Sequence, residues 1–163
     1  GPVLRATRQI PVQRNTGGAA ASLDAAERAL AQGECVVIFP EGTISPDLDP
    51  MPGRTGAARL AQATGVKVTP VGLWGAQRIL FKGRKPSWTR GVAESVVVGK
   101  PVRVGPEDDA GAATERIMAG IAAAVARARD VYTQHPQAGD DGWWVRTPES
   151  AFRHVGHATG TTS

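Results

Sequence analysis

An α/β fold is what this sequence predicts, and three observations predict it. Several stretches repeat apolar residues at helical spacing. Others are short apolar runs rich in β-branched residues. The two kinds alternate along the chain. A length of 163 residues suits one domain large enough for a core of its own.

Taken in order, Ile10 to Arg14 (I-P-V-Q-R) reads as a short extended stretch ending in a cation, and Pro11 confines it to a strand start or an edge. Asn15 to Gly18 is a loop in which Asn15 or Thr16 is a candidate helix cap. Ala19 to Gln32 reads as a helix. Leu23, Ala26 and Leu30 share one face, Asp24 and Arg28 form an i,i+4 pair on the other, and Gly33 is a natural stop. Glu34 to Phe39 (E-C-V-V-I-F) is the clearest strand. Apolar on both faces, it is expected at the centre of a sheet covered on both sides, with Cys35 a small buried thiol.

Leu48 to Arg54 is a loop, and Gly56 to Thr64 a helix with Ala57, Leu60 and Ala61 on one face and Gly65 at its end. Val66 to Leu73 is a second strand, interrupted by Pro70. Trp74 to Arg90 is a basic loop with Arg78, Lys82, Arg84, Lys85 and Arg90. Ser95 to Gly99 is a third strand, which Val102 to Val104 either extends or partners. The longest helix spans Asp109 to Tyr132, and Ile117, Ile121, Ala124, Val125 and Ala128 form its core stripe. Residues 133–163 are rich in Pro, Gly, Thr and Ser and read as a mostly irregular tail, anchored by Trp143-Trp144.

The composition is that of a globular chain, 41% hydrophobic and 21% charged. A net charge of +4 suits phosphates, nucleic acid or an anionic membrane face, and equally a solvated basic surface. A single cysteine excludes a disulfide framework. No segment reaches the roughly 18 apolar residues of a membrane span, and no signal peptide is visible.

The chemistry concentrates where the 34–39 run stops. Ligands of open α/β sheets gather beyond the carboxyl ends of strands, and here stand Pro40-Glu41-Gly42-Thr43-Ile44-Ser45. Gly42 tolerates a left-handed backbone and close approach of a ligand. Backbone N–H groups and the Thr43 and Ser45 hydroxyls are donors for an anion. Glu41 repels phosphate, so its role is to orient an arginine, Arg14 being the candidate, or to accept a substrate hydroxyl. A plain strand-to-turn connection with Glu41 solvated is the other reading.

Three motifs in order, I-P-V-Q-R (10–14), F-P-E-G-T-I-S (39–45) and V-T-P-V (68–71), resemble the glycerolipid acyltransferases. The nearest resemblance is to the bacterial lysophosphatidic acid (1-acylglycerol-3-phosphate) acyltransferases, and it runs from Gly1 to about Val104. It implies a glycerol-3-phosphate-acyltransferase-like sheet with flanking helices, its N-terminal part missing. Residues 1–132 would be an acyltransferase domain lacking its catalytic N-terminal segment. By the same resemblance, Arg14 contacts the acceptor's phosphate, Glu41 and Gly42 form the acceptor-site pair, and Pro70 lies by the acyl donor or beneath the site. Ile44 departs from the arginine many members carry. Arg54, Arg78 or Lys82 are candidates to replace that cation.

The family's base is the histidine of an H-x4-D motif upstream of the arginine motif, a place that falls before Gly1. Gly1-Pro2-Val3-Leu4 resembles native family sequence rather than a tag remnant. His135 and Asp140 match H-x4-D as a string, but in the wrong order and within a Pro/Gly loop, and read as coincidence. His154 and His157 read as solvated.

The implied activity is acyl transfer from acyl-CoA or acyl carrier protein, the co-substrate, to a lysophospholipid hydroxyl in phospholipid synthesis, with no other cofactor and no metal. The chain alone would be inactive. Cytoplasmic placement, peripheral to the inner face of the cell membrane, follows from that substrate class. The stretch from Arg78 to Arg90, with Trp74, Phe81 and Trp88 interleaved, suits an anionic bilayer surface. Alternatives are a non-catalytic lipid- or phosphate-binding relative and a nucleic-acid-binding module. The latter is disfavoured because no known nucleic-acid motif accompanies the basic stretch.

Overall fold

A computed structural model describes residues 18–46, 48–138 and 142–145. Helix α1 spans Gly18–Ala31, α2 spans Gly56–Thr64 and α3 spans Ala110–Asp130. Two strands, β1 (Val71–Trp74) and β2 (Ser95–Val98), pair antiparallel with Val71 opposite Val98 and Trp74 opposite Ser95. A 3-10 turn, Ala76–Arg78, opens the long connection between them.

The helices form where apolar spacing places them. Gly65 closes α2 by donating its N–H to the Ala61 carbonyl. At the start of α3, the Asp109 carboxylate accepts the N–H of Ala112 at 2.8 Å, satisfying one of the first-turn donors. Ile117, Ala124 and Ala128 of the expected stripe are buried, with Ile121 and Val125 half-buried beside them.

The second predicted strand is split by Pro70. Val68 and Val102 exchange backbone hydrogen bonds at 3.0 and 2.7 Å, and the ladder resumes at Val71. Between these points residues 99–101 oppose residues 69–70, a bulge that accommodates two prolines unable to donate to a ladder. The Gly99 N–H still reaches the Pro70 carbonyl at 2.8 Å.

Helix α3 lies across the inner face of β1 and β2, and α2 packs between α3 and α1. One buried cluster joins Ala57, Ala58 and Ala61 of α2 to Ala113 and Ile117 of α3, with Val104. A second joins Trp74, Ala128, Tyr132 and Trp144, so the tail is anchored as predicted, with Trp144 only 2% exposed. The approach of sheet to helix is close at Gly72, where a Cβ would lie 2.2 Å from the Ala124 carbonyl carbon.

Two expectations fail together. Residues 34–39 form no strand among the described residues, and the run is open rather than central, with Val37 79% and Phe39 74% exposed. Cys35 is exposed with it, not buried. The physical reason is that β-branched composition supplies only propensity. A strand needs a neighbour for its N–H and C=O groups, and the described residues provide none there.

Candidate functional site

The 34–39 run nevertheless ends in a well-defined corner. The Gly42 N–H donates to the Phe39 carbonyl at 3.1 Å, closing a tight turn with Gly42 at φ 66°. That N–H, a candidate anion donor by sequence, is therefore already used inside the turn. The Glu41 carboxylate accepts the N–H of Met51 at 2.9 Å, and the Arg54 N–H donates to the Pro40 carbonyl at 2.9 Å. These two bonds fasten the 48–54 loop against the corner.

The loop carries Arg54 to the glycine. A Cβ built on Gly42 would stand 3.1 Å from Arg54 Nε and 3.4 Å from its Cδ. The guanidinium thus lies over the one residue of the corner with no side chain. Thr43 is exposed beside it, and Ser45 is half-buried. Of the three cations considered as replacements for one at position 44, Arg54 is the one in this position. Ile44 is exposed.

Arg129 of α3 holds the other end of the loop. Its guanidinium pairs with Asp49 at 2.8 Å, donates to the Leu48 carbonyl and stacks over the Trp74 ring at 4.2 Å. Leu48 adopts φ 67°, a left-handed conformation uncommon for a branched side chain. The corner is therefore positioned from the core through Trp74, Arg129, the 48–54 loop and Glu41. Sequence reasoning gave no sign of the bonds from Arg129 to Asp49 or from Met51 to Glu41, because they depend on the path of an irregular loop.

The remaining candidates lie as follows. Arg14 is outside the described residues, so its convergence on Glu41 is not among the contacts here. Pro70 is fully buried, with Gly120 of α3 packed against its ring. Arg78 belongs to a different place. It stacks on Trp144 at 4.1 Å, donates to the Tyr132 hydroxyl at 3.1 Å and bonds to Gln134, lining a cleft with Trp143. His135 is exposed, and Asp140, His154 and His157 lie outside the described residues. No described helix is long and apolar enough to cross a membrane.

Comparison with known proteins agrees with the motif reading. The acyltransferase family model matches residues 1–74, a span containing all three motifs. A solved structure, the 1-acyl-sn-glycerophosphate (LPA) acyltransferase PlsC from Thermotoga maritima, is similar in fold with a TM-score of 0.55 and 25% sequence identity. The match covers 69% of this chain and 46% of that one, so the chain spans less than half the length of the Thermotoga protein it resembles. No curated protein matches the chain. With the motifs at 10–14, 39–45 and 68–71 inside the matched span and a fold similar to that of a lysophosphatidic acid acyltransferase, the chain is similar to the acyltransferases in both sequence and fold.

Proposed function

We propose that this chain supplies the acceptor-binding part of an enzyme of phospholipid synthesis. That enzyme moves a fatty acyl group from acyl-CoA or acyl carrier protein to the hydroxyl of a lysophospholipid of the 1-acylglycerol-3-phosphate kind. The observation that carries the reading is the corner at 41 and 42 with the Arg54 guanidinium laid over Gly42. A planar fork of donors beside a glycine, with an exposed threonine hydroxyl adjoining, suits a phosphate monoester. Arg54 takes the role of the cation that Ile44 does not offer, and Arg14 is the second phosphate ligand that the motif implies.

In this reading the acceptor hydroxyl attacks the thioester carbonyl, a base takes its proton, and the thiolate of the donor leaves. Residues 1–134 contain no histidine. The base that the family resemblance implies is the histidine of an H-x4-D motif upstream of the arginine motif, and the 163-residue chain alone is expected to be inactive. Its place is the cytoplasmic face of the membrane, where acceptor and product reside.

Titration calorimetry with a short-chain lysophosphatidic acid below its micellar concentration tests the acceptor site. Arg54→Ala is expected to weaken binding at least tenfold, the equivalent of losing one charge-assisted contact of about 1.5–3 kcal/mol, and Arg54→Lys to restore part of it. Equal affinity of the native chain for the phosphate-free monoacylglycerol would refute the reading. Acyl transfer by the chain without an upstream segment would overturn the assignment of the base.

A further inference from the structure

A second site lies outside the matched span. The 75–93 connection and the end of the described chain enclose a cleft of about 470 Å³. No residue of the 39–54 corner lines it, and every lining residue falls between 77 and 144. Arg78 is fixed within it by neutral partners, the Trp144 ring, the Tyr132 hydroxyl and Gln134. Gln134 in turn accepts the Ala93 N–H at 3.0 Å and donates to the Gly91 carbonyl at 2.7 Å, tying the connection to the segment after α3. The Arg84 guanidinium stacks on Trp143 at 4.2 Å, and Phe81 packs on the same indole at a centroid distance of 5.1 Å.

The charge on the described lining of this cleft is one-sided. Residues 75–93 include Arg78, Lys82, Arg84, Lys85 and Arg90 and no aspartate or glutamate. Ser87 and Thr89, on the lining, add hydroxyls bonded to each other at 2.8 Å. The Nε2 of Gln77, another lining residue, is buried without an acceptor among the described residues. Among the described residues the lining offers cations, hydroxyls and aromatic walls and no carboxylate, a set that suits an oxygen-rich anion.

The rim indicates where that anion comes from. Trp88 falls in sequence between Ser87 and Thr89, and Leu80 between Ile79 and Phe81, all four being lining residues. Trp88 is 89% exposed and Leu80 64% exposed. A free phosphate metabolite gives no reason to hold an indole and a leucine in water beside its site. A bilayer does, because an indole flanked by cations settles at the headgroup level.

We propose that this cleft, with Arg78, Arg84 and Lys85 as its cations and Trp88 and Leu80 at its rim, is a headgroup site for an anionic phospholipid by which the protein docks on the membrane surface. The inference rests on the membrane-peripheral reading above, not on acyl transfer.

The test is flotation of the full chain with vesicles of phosphatidylcholine alone and of phosphatidylcholine with phosphatidylglycerol, neither containing lysophospholipid, so that the acceptor corner takes no part. Binding is expected only to the anionic vesicles and to weaken with salt. Arg84→Gln with Lys85→Gln should lower it by about 30-fold, from a roughly fivefold contribution per cation near the surface. Lys67→Gln with Lys100→Gln, an equal loss of charge on exposed residues off the cleft, should lower it far less. Trp88→Ala should weaken binding several-fold and leave its salt dependence intact. Submicellar dihexanoylphosphatidylglycerol should perturb tryptophan fluorescence, and inorganic phosphate at the same concentration should not. Equal losses from the two charge pairs, equal binding to neutral vesicles, or a phosphate response matching the lipid's would each overturn the proposal. None of these outcomes bears on lysophosphatidic acid affinity at Arg54, so the two readings fail separately.

Discussion

At the residue scale, the corner depends on Gly42 twice. Its φ of 66° costs an L-residue about 1 kcal/mol, and its missing Cβ leaves the space that Arg54 occupies. Gly42→Ala is therefore expected to lower unfolding free energy by about 1 kcal/mol in urea and to weaken lysophosphatidic acid binding beyond what that loss explains. An alanine variant with native affinity would show that the guanidinium does not use this space. Asp108 offers a pH-dependent counterpart. It accepts the Gly105 N–H at 3.2 Å and pairs with Arg116, and these partners, the backbone donor foremost, hold its carboxyl below the ordinary aspartate range. A lowered folded-state pKa stabilises the protein above the unfolded value near 4, and that contribution disappears as pH falls through the folded value. Melting temperatures between pH 5 and 2.5 should therefore fall more steeply for the native chain than for Asp108→Asn. Parallel curves would mean that the pairing is not kept in solution.

At the scale of elements, legibility follows the range of the forces involved. Helices α2 and α3 were readable almost to the residue, because their apolar period, the Asp109 cap and the Gly65 stop are all local. Strands β1 and β2 were readable as runs, but their register was not, since the bulge opposite Pro70 is set by two distant segments. The 34–39 run was misjudged because composition cannot supply a partner strand. The same division holds at the candidate site. F-P-E-G-T marked the corner in one dimension, whereas the loop that brings Arg54 over Gly42 needed three. The packing of β1 on α3 makes a sharp prediction here. A Cβ at Gly72 would meet the Ala124 carbonyl carbon at 2.2 Å, backbone against backbone, where no rotamer change gives relief. Gly72→Ala should lose about 3 kcal/mol in urea unfolding by overpacking. A variant as stable as the native chain would show that the helix does not cross the strand at this point.

For the whole molecule, the matched span and the folded unit do not coincide. The family match ends at residue 74, yet the Arg129 that fastens the 48–54 loop belongs to α3, and α3 also supplies residues to both buried clusters. Much of the first cluster is alanine, which buries little apolar area per residue, so the second, with its aromatic rings, contributes disproportionately. Trp144 meets Tyr132 edge-on at 5.8 Å and carries Arg78 on its ring, joining the tail, the end of α3 and the basic connection. Trp144→Ala should therefore cost about 3 kcal/mol, read from the urea midpoint at unchanged slope, a large share of the stability of a domain this size. It should also loosen the cleft, so that Arg84→Gln with Lys85→Gln no longer changes vesicle binding in the Trp144→Ala background. A tryptophan that served only as a solvated tail residue would yield neither result. A loss of stability with the charge effect intact would assign Trp144 to the core and leave the cleft standing without it.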